Sequence, residues 1–528
     1  MRGESWRVLR LAGAVAIVGA LVAMAGGQAA AGPASSSQAP SGTLNLGLSS
    51  LLESFDPAVA QPVAKVHLDL LYDHVVGLNK TGNRFSKETG LASNWTTKDQ
   101  QTWKFTIRRG VKFSNGDPLT ARDVAFTLGR LKTPTARSAY SSWFKLNLVS
   151  AKATSAGKLT VRLTAPNFGL LYYLSSLFGT EGSVVPSNYL RRVGDAAFAQ
   201  APVGSGPYKI GSRQAGQSLT YVPSNTNSPS KPKYERVVFR IIPETSSRIA
   251  LYRTGQLDVI DIGTSSIRTL GGVANTRVAK KRVGNQVGIG FFEQWKSTTP
   301  MNNRRFRQAL AISVDVNAIN KAIFRGFGDP TGNYPSGCAS IGCKDLAPYR
   351  YNPSQARQLL QQSGYSGAEV PIYAFPLPGV PELPALATAV QGYWSAIGVN
   401  AKVVTTDFSS FVGKWVGYTV GTGAAPVAFA QRALGIAQYD SAFWSKGVST
   451  FTHDTTIDRL VDQGHAAGDS PKRYGQITAQ LNKYVYDNYL SLPVVSLGSF
   501  YAGKESVLAG WTPGNGQYDM NIRTLAGR

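Results

Sequence analysis

The hydrophobic period of this chain switches repeatedly between two and 3.6, which confines it to a mixed α/β fold. Thr43–Leu48 (TLNLGL) alternates apolar residues with polar residues or glycine, as a strand does, and the next loop holds Phe55, Asp56 and Pro57. Residues 102–109 (TWKFTIRR) alternate again, and Asn115-Gly116-Asp117-Pro118 then supplies a turn. Residues 120–131 (TARDVAFTLGRL) read as a helix, with Thr120 placed to cap it and Asp123 three residues on. Strands are expected at 158–164, 218–223 and 236–242, and a helix at 244–254 that runs into Gly255-Gln256-Leu257-Asp258-Val259. Apolar residues recur at helical spacing from Phe306. A helix over 352–364 starts at Asn-Pro and stops at Gly. Strand 370–375, helix 384–397 and strand 399–405 form an α/β unit, and a helix covers 471–487.

The first 31 residues read as a cleaved export signal. Arg2, Arg7 and Arg10 precede an uncharged apolar run over 11–25, and Ala29-Ala30-Ala31 offers a cleavage site. The run is shorter than the ~20 residues a spanning helix needs. With no cysteine near that site, a lipid-anchored N-terminus is not expected. Residues 32–42 (GPASSSQAPSG) read as a disordered linker. Of 528 residues, 497 would remain, more than one hydrophobic core organises, so two or three lobes are expected. Three Arg and one Glu leave with the signal, taking the net charge from +25 to +23. The basic residues form only short, scattered groups such as Lys280-Lys281-Arg282 and Arg304-Arg305. That pattern fits a solvated basic surface better than a nucleic-acid or polyanion site.

Cys338 and Cys343 are the only cysteines, and in an exported chain they read as a local disulfide. No His lies near enough to give them a zinc signature. The four histidines (His67, His74, His453, His465) sit in no metal or catalytic motif, and no G-x-S-x-G elbow is present. Neither a cofactor nor a metal is expected, and a binding protein is favoured over a secreted hydrolase. Gly204-Ser205-Gly206-Pro207 reads as a turn, not a phosphate cradle, and Asn115–Pro118 as a turn, not a metal loop. Arg305, Arg307 and Asp315 flank a helix and are expected in surface ion pairs.

Five segments, in order, resemble the extracellular solute-binding proteins for peptides, nickel and related solutes. They are WKFTIRRGVKFSNGDPLTARDVAFTL, PVGSGPYKI, IALYRTGQLDVI, NNRRFRQALAISVDVNAINKAIFRG and YRYNPSQARQLLQQSGY. The resemblance covers nearly the whole chain after the export signal. It implies a two-lobed periplasmic-binding-protein-like fold of class II type. Lobe I would combine 43–79, 203–289 and 492–528, with an α+β insert at 80–202, and lobe II would be 290–491. The lobes would be joined near 288–295 and 492–500 and would close on a solute by hinge motion.

The resemblance also implies a ligand cleft between the lobes and a role in delivering solute to the permease subunits of an ABC importer. The protein would be a monomer outside the cytoplasm, meeting the membrane only through the permease. Phe55 and Asp56 match a cleft loop of lobe I. A second cleft loop maps to 431–444 (QRALGIAQYDSAFW), where this chain departs from the family pattern. The family's tryptophan position falls within 432–434. The position of the aspartate that pairs with a peptide's amino group holds Ile436, with Asp440 four residues on. Candidate ligand residues are therefore Phe55, Asp56, Gln438, Asp440 and Glu293, with the aromatics Trp143, Phe144, Phe291, Phe292, Trp295, Trp415, Tyr439, Phe443 and Trp444. A peptide or peptide-like solute is the leading expectation; a sugar or a metal chelate is the alternative on the same fold.

Overall fold

The computed structural model describes residues 39–528 except 80, 81, 83, 378, 448, 512, 514–519 and 526–528, with backbone alone at 281–283. The expected signal and most of the expected linker lie outside the described residues. The linker's end is not disordered as expected. Ser41 N–H donates to Lys233 O at 3.1 Å, and Gly42 O accepts Glu235 N–H at 3.0 Å, so the ladder of the first strand starts before Thr43. Among the described residues no helix is long and apolar enough to cross a membrane.

One mixed sheet of eleven strands runs through most of the fold. Its order is Ala401–Thr405, Val370–Ala374, Ala424–Ala430, Thr276–Phe291, Ser491–Lys504, Val259–Asp261, Thr43–Leu48, Arg236–Ile241, Ser218–Pro223 and Tyr208–Gln214, with Gly328–Pro330 added beside Ser491–Lys504. The α/β expectation holds, and the strand Thr43–Leu48 stands where its alternation placed it. Two long strands, Thr276–Phe291 and Ser491–Lys504, pair antiparallel and belong to both halves of this sheet. Their register breaks between Lys281 and Asn285, opposite Ser499 and Leu497. It shifts again between Val287 and Gly288, opposite Val495 and Pro493. The first crossing was expected near 288–295; the register shift between Val287 and Gly288 falls at its edge, and residues 288–291 pair with Ala424–Val427. The wider break, between Lys281 and Asn285, lies several residues earlier.

A second, four-stranded antiparallel sheet holds Ala92–Thr97, Thr102–Ile107, Lys158–Leu163 and Leu148–Ser155 in that order. The helix Ala121–Arg130 covers it and begins as the sequence indicates. Thr120 accepts from Arg122 N–H, and Asp123 accepts Thr120 N–H at 2.9 Å. The other oxygen of Asp123 takes the N–H and hydroxyl of Ser187 (3.0 and 2.7 Å), fastening the helix Ser187–Gln200 beside it.

The GQLDVI segment is a fastening too. Asp258 accepts Asn45 N–H at 2.7 Å and pairs with Lys504 at 2.6 Å. Asp261 accepts Ser49 Oγ–H at 2.6 Å and pairs with fully buried Arg248 at 3.0 Å. Arg307 is not the expected surface ion-pair residue. It is buried and donates to the carbonyls of Met301, Asn302, Asn488 and Tyr489, closing the ends of chain segments that would otherwise leave bare oxygens. Asp315 caps the helix Val316–Ala322 through the N–H groups of Asn317 and Ala318.

His67 lies on the helix Lys65–Leu71 and is fully buried. Its Nδ1 is 3.0 Å from Tyr221 Oη and its Nε2 is 2.9 Å from Leu52 O. Burial lowers its pKa to about 4, against the smaller upward pull of the Leu52 carbonyl. The unfolded chain therefore binds the extra proton first. Stability should be full above about pH 6.5 and fall as pH drops toward 4, by about 3 kcal/mol from this group. Denaturant titrations at pH 7, 5.5 and 4.5 on wild type and His67→Gln test this. The variant should show a shallower loss, and parallel pH profiles would contradict the assignment.

Candidate functional site

Two walls of different chain origin enclose a cavity. One wall holds Gln61, Pro62, Val63, Ala139 and Tyr140; the other holds Phe408, Val412, Trp415, Phe429, Arg432, Gln438 and Ser441. Gln61 reaches its place by donating to Arg137 O at 2.9 Å. Tyr140 precedes the helix Ser141–Asn147, and its N–H donates to Glu181 Oε1 at 3.0 Å. Opposite, Asp407 caps the helix Phe408–Val416, whose residues 408, 412 and 415 fall on one face. Ala424–Ala430 brings up Phe429, the segment after it brings Arg432, and the helix Ile436–Ala442 brings Gln438 and Ser441.

The apolar part of the second wall is rigid. Trp415 stacks on Phe451 at 5.1 Å, and Phe292 stands edge-on behind both, 5.8 Å from Trp415 and 5.1 Å from Phe451. The polar part is not self-satisfied. Arg432 is buried; its Nη1 donates to Leu177 O and its guanidinium lies 5.5 Å over Phe178, while Nε has no protein acceptor. Asp440 is fully buried with Oδ1 at 2.9 Å from His465 Nε2, and its Oδ2 has no protein donor. Gln438 donates to Ala430 O at 2.6 Å but its Oε1 accepts nothing, and Trp415 Nε1 donates to nothing. Each buried polar atom left without a partner costs about 1–3 kcal/mol.

Burial raises the Glu181 carboxyl, and the Tyr140 N–H and Arg432 oppose that rise. Burial likewise raises the Tyr140 phenol, with Arg432 opposing and Glu181 and Asp440 adding to it. Arg432, Glu181 and Asp440 thus share one electrostatic neighbourhood around Tyr140. Contacts between the walls run beyond the cavity. Phe168 N–H donates to Gly468 O at 2.8 Å, and Thr264 N–H donates to Glu382 Oε1 at 2.5 Å.

Of the residues named from sequence, Trp415 and Gln438 line the cavity; Asp440 is not among its lining residues and is buried with one oxygen open. Most of the others serve elsewhere. Phe55 is core, edge-on to His67 at 5.3 Å. Asp56 is locked to Arg130 by two bonds of 2.9 and 2.7 Å and accepts Ala58 N–H. Trp143 is buried and stacks on Tyr173 at 4.4 Å, with Phe144 packed against it. Phe291 and Phe292 lie in the core behind the cavity. Glu293 holds a tight turn at φ 52° and pairs with Lys296 at 2.7 Å. Trp295 stacks on His453 at 4.0 Å. The Tyr439 hydroxyl donates to Asn482, Phe443 packs on Phe451, and Trp444 stands edge-on to His465. These aromatics were drawn in by proximity to the right loops, and burial takes them inward. Tyr140, Phe408, Val412 and Arg432 also line the cavity and were not among the residues named from sequence. Arg432 lies in the stretch 432–434, within which the family's tryptophan position was expected.

Cys338 and Cys343 are joined as a disulfide. Asp345 lies beside them, but both sulfurs are spent on each other and offer no thiolate to a metal.

Residues 88–467 match the family model of bacterial extracellular solute-binding proteins, family 5 middle. The dipeptide-binding protein of Escherichia coli (strain K12) is 24% identical over 349 residues, covering 61% of this chain and 64% of that protein's length. The alignment therefore spans less than two thirds of that relative. Among solved structures, the oligopeptide-binding protein AppA from Bacillus subtilis in complex with a nonapeptide superposes with a TM-score of 0.81 at 18% identity, over 93% of this chain and 99% of that one. The binding protein MoaA in complex with mannopinic acid, from A. tumefaciens R10, gives 0.80 at 21% identity, over 92% and 100%.

The assignment of Asp56 to the frame and not to the cleft makes a prediction. Asp56→Ala strands the Arg130 guanidinium, which is left only exposed Asp195 at 2.8 Å. Urea unfolding should show a loss of about 3 kcal/mol. A loss below about 0.5 kcal/mol, the size expected of an ordinary surface substitution, would contradict it.

Proposed function

The chain belongs to the bacterial extracellular solute-binding proteins of family 5, and on that premise we propose that it captures a small peptide or peptide-like solute in this cleft for an ABC importer. The observation that carries the reading is the pairing of open groups: Arg432 Nε seeks an acceptor and Asp440 Oδ2 seeks a donor, both buried and both acting on Tyr140. A solute with an ammonium at one end and a carboxylate at the other meets both needs. Desolvated charges require such partners, and charge-assisted bonds of this kind are the strong ones. Its apolar middle would lie on Trp415, Phe408 and Val412. The dipeptide and nonapeptide of the two relatives are solutes of this kind, and mannopinic acid shares the carboxyl group.

Capture needs no bond making. The two halves of the sheet would act as lobes that turn about the register break at Lys281/Asn285 and the facing stretch of the strand Ser491–Lys504. Binding, release to permease subunits and a monomeric state outside the cytoplasm complete the proposal.

Native mass spectrometry of the secreted protein tests the reading. We expect one small solute retained per chain. Arg432→Ala and Asp440→Asn should each weaken binding of that solute by about 10- to 100-fold, the worth of a hydrogen bond to a charged group. Absence of retained solute, together with silent calorimetry against a mixed dipeptide library, would overturn it.

A further inference from the structure

We propose that the loop 336–343, closed over 338–343 by its disulfide, is a positioning device for Arg432, so that reducing Cys338–Cys343 loosens one wall of the cleft. The inference deepens the reading of Arg432 as a solute-binding group. It starts from what the loop touches. Ser340 Oγ–H donates to the backbone oxygen of Arg432 at 2.7 Å, and Ser336 Oγ stands 2.8 Å from Ser340 Oγ. Ile341 N–H donates to Ala433 O at 2.9 Å, and Ala339 N–H reaches Gln431 Oε1 at 3.4 Å. Three successive residues, 431, 432 and 433, are thus held by one short loop.

The loop itself has no slack. A Cβ on Gly337 would fall 2.0 Å from Gln431 Nε2, and one on Gly342, whose φ is 78°, would fall 2.1 Å from Gly475 Cα. The Asn333 amide donates to Lys344 O at 2.9 Å and lies 2.9 Å from Cys343 Sγ. The same contacts run on toward the register break, since Gln431 N–H donates to Gly284 O at 2.9 Å and Gln286 donates to Asn333 O at 2.6 Å. A crosslink between residues five apart removes less chain entropy than one that closes a long loop. Its effect is local: it fixes the loop whose hydroxyl and N–H groups hold the Arg432 backbone.

Cys338 is exposed, so a dithiol reductant reaches it. The reductant's thiolate attacks one sulfur and breaks the S–S bond. Its second thiol closes onto the first, and two electrons and two protons end as thiols on Cys338 and Cys343. The brace is then open, with Ser340 no longer pinned under Arg432.

Arginine labelling reads this directly. Phenylglyoxal modification of Arg432, followed by peptide mass spectrometry, is compared in intact protein, dithiothreitol-reduced protein and Cys338→Ala/Cys343→Ala. Arg307, buried on four carbonyls in the same half of the fold, is the internal control. Opening should raise the Arg432 rate by about tenfold, as expected for local and not global unfolding, and leave Arg307 unchanged. Ser340→Ala should move it the same way with the disulfide intact, and reoxidation should restore the wild-type rate. Unchanged Arg432 labelling would overturn the proposal, and so would equal increases at Arg432 and Arg307, which mark general loosening. Neither readout needs a solute, so failure of the solute-binding reading is seen separately, by calorimetry.

Discussion

The antiparallel pairing of Thr276–Phe291 with Ser491–Lys504 is the interaction the rest of the fold depends on. Each strand passes through both halves of the sheet. On one side of the break the pair is flanked by Val259–Asp261, and on the other by Ala424–Ala430 and Gly328–Pro330. Backbone hydrogen bonds are short and directional, so a sheet bends most cheaply where its ladder is already interrupted. That place lies between Lys281 and Asn285. The residue that leads into Arg432 bonds to Gly284 beside the break.

The polar groups of the signature segments differ from those at the cleft. Those in the signature segments are closed circuits: Asp258 with Asn45 and Lys504, Asp261 with Ser49 and Arg248, Asp123 with Thr120 and Ser187. They fasten strands and helices and leave nothing for a ligand. The cleft groups are open circuits, since Arg432, Asp440, Gln438 and Trp415 each keep a buried atom without a protein partner. The first kind explains why the chain folds as its family does. Three of the four, Arg432, Gln438 and Asp440, belong to the stretch 432–440, where the chain departs from the expected family pattern.

Local periodicity made the strands and helices legible, and cap chemistry placed the start of the helix Ala121–Arg130. The short cysteine spacing was enough to name the disulfide. What the sequence did not disclose depends on contacts between distant residues. Asp56 meets Arg130 across 74 positions and Arg432 meets Leu177 across 255, and no local pattern encodes either. Asp56 looked like a cleft residue because its loop was right; its carboxylate is consumed by a partner from another helix. The aromatics near the cleft were overcounted for the same reason. Phe292 and Phe443 stand behind the lining, where they stiffen Trp415 through Phe451, and only depth in the fold separates backing from lining.

In the proposed capture, the two walls of the cleft close on a solute by turning about the break in the crossing strands. A distance measurement across the cleft is its most direct test, with spin labels at Val59→Cys and Ser409→Cys, both exposed positions beside the two walls. Protein stripped of solute by unfolding and refolding should give a longer, broader distance distribution. Adding back the solute recovered from the secreted protein should collapse it to one shorter distance. A single short distance under both conditions would contradict the account, because the walls would then be fixed and the register break would be no hinge.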